Sequence, residues 1–237
     1  MKASNYASAG NAREWSKGKF IKLLISILLL LIGSAFLGAT PLSGVVFCVL
    51  LNIVMLVFLV TIGQQRTVLM PGLVIVVPTI ILSWVGYATN SYSVLLGHDV
   101  LIVSFCIFAA YQVICDVLDD RQVTQDTILG AVCAYLLAAL AWAYVYSMIQ
   151  LVDAGSICFV TTNAGNGKLL PGPSSFYDDI YFSFVTMTTL GYGDLIPISA
   201  PARTAAYLQA VFGQFYLAVL VARLVALHII QMKQNQL

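Results

Sequence analysis

The chain has 237 residues, 60% of them hydrophobic and 9% charged, and its formal net charge is +1. A soluble domain carries about 25% charged residues, so this composition excludes one and points to a membrane protein. The near-zero charge balance gives no sign of a nucleic-acid partner.

Crossing a hydrocarbon core takes about 20 apolar residues at 1.5 Å per helical residue. A first such span runs from about Phe20 to Gly38. Its apolar stretch is longer than that of a cleaved leader, so it is read as retained. A second covers Leu42 to Ile62, with Pro41 at its start, where a missing N–H is harmless. The third, Val68 to Ala88, holds Pro78 and is expected to kink there. A fourth covers Val100 to Val117, a fifth Thr127 to Val152 and a sixth Ala202 to Ile230. Between the last two lies a polar segment, Asp153 to Pro173, and then a short amphipathic run too brief to cross, which is a re-entrant candidate.

Cytoplasmic loops hold an excess of Lys and Arg. Lys2, Arg13, Lys17, Lys19, Lys22, Arg66, Arg121, Arg223 and Lys233 fall on one side of a six-span thread, and only Lys168 and Arg203 on the other. The expected fold is therefore an all-α membrane protein with six transmembrane helices, a re-entrant helix between spans five and six, and both termini cytoplasmic. Residues 1–19 form a cytoplasmic arm, 20–117 a four-helix domain, 118–126 a cytoplasmic linker and 231–237 a polar cytoplasmic tail. Four cysteines, Cys48, Cys106, Cys115 and Cys133, sit in or beside apolar stretches, and Cys158 lies alone in the polar segment, so no metal-ligand spacing arises.

The re-entrant run opens with Ser175 followed three residues later by Asp178, a pattern like a capping box, and a helix is expected from Phe176 to about Thr188. An extended return must follow it. Non-helical backbone at membrane depth survives only where protein buries it or where it lines a watery path. Replacing the hydration shell of a cation needs successive carbonyls aimed into one lumen, through backbone angles that glycine adopts freely, and Gly191 and Gly193 can supply them. Thr189 adds a side-chain oxygen at the inner end, Leu190 and Tyr192 can wedge the loop against surrounding helices, and Asp194 can concentrate cations at the outer mouth.

The string Thr188-Thr189-Leu190-Gly191-Tyr192-Gly193-Asp194 resembles the filter signature of the tetrameric potassium channels, and the likeness continues through Pro197 and Arg203 to Gly213. It makes 127–230 the counterpart of that family's pore domain: outer helix, pore helix, filter and inner helix. The resemblance implies a homotetramer that conducts K+ passively, with K+ held by Thr189, Leu190, Gly191, Tyr192 and Gly193. Thr188, Asp194, Val185 and Phe182 would support the filter. Val185 stands where some bacterial members carry an acid, and Phe182 where tryptophan is frequent. Gly213 falls where the family places a flexible glycine, with hinge and packing both open as its role. Ala218, Ala222 and Ala226, four residues apart on one face, are candidates for an inner gate.

The resemblance also implies a multi-pass protein of the plasma membrane, the inner membrane in a prokaryote. Expected partners are membrane lipids and a separate cytoplasmic regulatory chain, and no cofactor is expected beyond the permeant ion. The fourth span lacks the arginines of a voltage sensor, so weak or absent voltage dependence is expected. Two alternatives stand beside conduction: a non-conducting regulatory or sensory subunit, and a potassium transporter subunit. Relatives of the latter carry four filter-like loops in one chain against one here. No nucleophile–base pair or nucleotide motif suggests an enzyme.

Overall fold

The computed structural model describes residues 18–37, 43–62, 66–89, 91–119, 124–161, 168–170 and 176–234. Five long helices come first: α1 (Lys19–Leu37), α2 (Ser43–Ile62), α3 (Arg66–Thr89), α4 (Tyr92–Asp119) and α5 (Gln125–Val152). After them come strands β1 (Ile157–Thr161) and β2 (Lys168–Leu170), the short helix α6 (Phe176–Met187), strand β3 (Leu195–Pro197) and a last helix α7 (Ala200–Gln234). Among the described residues, four helices are long and apolar enough to cross a membrane, over Gly44–Ile62, Val68–Gly86, Tyr92–Asp119 and Gln125–Val152.

In α1, the buried residues Phe20, Leu23, Ile27 and Leu30 recur every three or four positions, which puts them on one helical face. That face packs on α2 and α5. Leu51, Met55 and Phe58 of α2 and Ile102, Phe105 and Ala109 of α4 complete the same core, with the Phe58 and Phe105 rings edge to face at 5.3 Å. The core does not stop at the four-helix unit. Ala131, Ala134, Leu137 and Leu140 of α5 belong to it, and small side chains there let α4 and α5 pack closely.

A short connection accompanies this pairing. Four residues separate the end of α4 at Asp119 from Thr124, the N-cap of α5, and α4 lies along α5 of its own chain. Thr124 and Thr127 close a reciprocal capping box. Two further ties brace this end: Lys19 pairs with Asp116 at 2.9 Å, and Arg223 of α7 donates to the Leu118 carbonyl at 2.7 Å, a cation at a helix C-terminus.

The structure departs from the sequence expectations in several places. The fold is not purely helical, because β2, β1 and β3 form a small antiparallel sheet in that order. Pro78, the expected kink site, lies inside α3, which also holds Pro71. The polar tail expected from 231 onward is helical as far as Gln234. Pro41 and Ser175, and with Ser175 the expected capping box, lie outside the described residues.

Candidate functional site

The helix α6 has 12 residues, about 18 Å of rise, and cannot cross a core about 30 Å thick. Its end is closed by the segment that follows. Thr188 N–H donates to the Phe184 carbonyl, and both Leu190 N–H (3.0 Å) and Gly191 N–H (3.3 Å) donate to the Val185 carbonyl. The contribution of Val185 therefore includes its backbone, which satisfies the first amides of the return segment.

From Thr189 the backbone changes hand at every second residue. Thr189 (φ 58°), Gly191 (φ 57°) and Gly193 (φ 77°) are left-handed, while Leu190 and Tyr192 between them are not. Alternating the two hands turns successive peptide groups toward one side, a pattern an ordinary strand cannot make. The two glycines adopt it without penalty. Thr189 is the single non-glycine with positive φ among the described residues, at a cost of about 1–2 kcal/mol.

The outer end is pinned by contacts that sequence reasoning missed. Tyr181 Oη donates to Asp194 Oδ2 at 2.6 Å, Leu195 N–H donates to Asp194 Oδ1, and Val160 N–H of β1 donates to the Asp194 carbonyl at 2.8 Å. Pairing of Phe159 with Leu195 and of Cys158 with Ile196 carries β1 alongside β3, so the sheet fixes where the segment ends. Phe182, the expected support, is buried and packs its ring against Tyr146 at 4.8 Å. Its neighbour Tyr181 makes the contact with Asp194.

Beneath the segment, a buried polar network joins three helices. Tyr146 Oη of α5 donates to Gln209 Oε1 of α7 at 2.6 Å. Gln209 Nε2 donates to the Ser183 carbonyl (3.0 Å) and hydroxyl (2.7 Å) of α6, and Ser183 Oγ donates to the Ala139 carbonyl of α5 at 2.6 Å. Nearer the start of α6, Gln150 donates to the buried Asp179 at 2.6 Å. One turn away on α5, Ser147 donates to Asp99 of α4 at 2.9 Å, so polar contacts link α4, α5 and α6 in sequence.

Gly213 lies where α7 meets the end of α6. A Cβ there would collide with the Met187 carbonyl oxygen, so close helix approach alone requires glycine at this position. Gly213→Ala is expected to lower stability by about 1–3 kcal/mol, measured by denaturation in detergent micelles. Unchanged stability would leave hinge motion as the glycine's purpose. Below it, Thr189, Ala210, Val211, Gln214, Phe215 and Ala218 line an open hollow of about 420 Å³. Ala222 and Ala226 are exposed further along α7.

Within one chain the segment is uncovered. Leu190 is 55% and Tyr192 67% exposed, so neither wedges against helices of its own chain.

A model of the ion channel family matches residues 130–228, a stretch that holds α6, the segment and most of α7. The chain is 30% identical over 105 residues to Protein LctB of Bacillus caldotenax, a match covering 44% of this chain and 75% of that protein. The chain belongs to the ion channel family. It is also 51% identical over 47 residues to the inward rectifier potassium channel Kirbac3.1 of Paramagnetospirillum magnetotacticum, covering 20% of this chain and 16% of that channel's length. Its apolar helices and its channel domain make it an integral membrane protein.

Proposed function

We propose that this chain is one subunit of a potassium-selective channel, in which four copies bring their Thr189–Gly193 segments together around a single path. The observation that carries the reading is the alternation of left-handed backbone at Thr189, Gly191 and Gly193, directly after a helix too short to span. Four such segments offer stacked rings of peptide oxygens in place of a cation's water. The exposed Leu190 and Tyr192 then find cover on neighbouring subunits, and the similarity to a protein named as a potassium channel supports K+ as the permeant ion.

In this reading α1–α5 and α7 are the six spans, both termini are cytoplasmic, and α6 with its return segment is the re-entrant pore. The location is the plasma membrane. Residues 20–117 form a peripheral domain without gating charge, since α4 carries no arginine or lysine, and opening depends little on voltage. Ala218, Ala222 and Ala226 line the inner passage, lipids surround the assembly, and a separate cytoplasmic chain can regulate it.

Flux from liposomes containing the purified protein tests this. Potassium is expected to pass at least about ten-fold faster than sodium, a difference of about 1.4 kcal/mol in barrier. Equal passage of the two ions would remove the selectivity, and a silent protein would favour a regulatory subunit.

A further inference from the structure

Gln214 interrupts an otherwise apolar lining. Ala210, Val211, Phe215 and Ala218 surround it in the hollow, yet its side chain is exposed there, and its amide Nε2 donates to Thr189 Oγ1 at 3.2 Å. The acceptor is the strained residue of the segment, the one whose left-handed backbone lacks glycine's freedom. Distance between the two is set by the contact beside them, since Gly213 lets α7 rest on the Met187 carbonyl, two residues before Thr189. A hydroxyl has one proton and two lone pairs. With one lone pair held by Gln214, the Thr189 oxygen has a defined orientation before any ion arrives.

We propose that Gln214 is a positioning and specificity-determining residue of the cation site: its amide orients the Thr189 hydroxyl, which forms the innermost ligand ring at the ceiling of the hollow. The proposal rests on the channel reading for its ion and for the ring of copies. An unheld threonine samples several rotamers, and the innermost ring then meets a dehydrating cation with its oxygens partly turned away. A cation of nearly the size of potassium but twice its charge, barium, is the sharpest probe of such a ring, because its affinity depends most steeply on oxygen placement.

The test reads ion binding separately from conduction. Thermal protection of the purified full-length protein by barium is measured for wild type, Gln214→Met, which keeps length without a donor, and Gln214→Leu. It is repeated for Thr189→Val with and without the change at Gln214. The barium concentration for half protection is expected to rise at least about five-fold in Gln214→Met and Gln214→Leu, the equivalent of one neutral hydrogen bond for the whole four-copy site. In the Thr189→Val background the same changes should add nothing, because the hydroxyl they act through is gone. A shift below about two-fold in both variants, or an undiminished shift in the Thr189→Val background, would overturn the role. So would a wild type that barium does not protect. Wild-type protein that shows the expected pattern yet passes no potassium would keep this proposal and sink conduction instead.

Discussion

In the proposed channel, Gly191→Ala is expected to lower potassium flux from reconstituted vesicles by at least about a hundred-fold while the protein still folds, a rise in the barrier of about 2.7 kcal/mol or more. The loss comes from backbone hand and owes nothing to crowding. At Gly191 φ is +57°, and a Cβ would meet nothing within 4 Å in its own chain. An L-residue in that conformation costs about 1–2 kcal/mol, which the four copies of the proposed assembly would raise to about 4–8 kcal/mol. In the proposed tetramer, relieving that strain by turning a peptide plane would remove a carbonyl from the ring. Gly155 provides the control. It is also left-handed, at φ +94°, and also open, but it sits in the turn before β1, away from the segment. Gly155→Ala carries comparable strain and should leave flux within about two-fold of wild type, a change of about 0.4 kcal/mol. Equal losses in the two variants would show that strain anywhere suffices, and the reading of the segment as the path would fall.

The second large effect is on stability. Gln209→Leu strips the donor from the Ser183 carbonyl and hydroxyl and the acceptor from Tyr146, all of them buried. Each unsatisfied group costs about 1–3 kcal/mol, and the whole change is expected to cost about 2–5 kcal/mol in denaturation of the detergent-solubilised protein. Ser183→Ala removes only the hydroxyl and leaves Gln209 bonded to the carbonyl, so it should cost about 1 kcal/mol. Similar costs for the two variants would show that the network has no special hold on α6. The buried amide matters because α6 is too short to be held by span packing alone, and it needs polar ties to both α5 and α7.

What could be read along the chain was whatever depends on neighbours in sequence. Apolar runs mark the helices because hydropathy is local, and expected ends such as Ile62 and Val152 coincide with the observed ends of α2 and α5. The left-handed glycines follow from residue type. Thr189 does not, because its unfavourable backbone is imposed by the amides that close the end of α6. Tyr181 escaped notice because its bond to Asp194 depends on where β3 pairs with β1, and those strands are too short to show a period. Gln209 and Gln214 are both polar side chains within an apolar helix. Only packing separates them, one fully buried in a three-helix network and the other turned to the hollow against Thr189.

The sequence by itself determined that the chain enters a membrane, where its helices run and which short segment can bend back, because hydropathy and glycine's freedom belong to single residues and their near neighbours. The tertiary structure alone decided that α4 packs on α5 of its own chain and that Gly213 must be small. It also decided that Tyr181 and Gln214 hold the two ends of the segment while Gln209 holds α6. Those contacts join residues 13 to 26 positions apart, and their energies depend on distances that exist only once the helices have closed around α6.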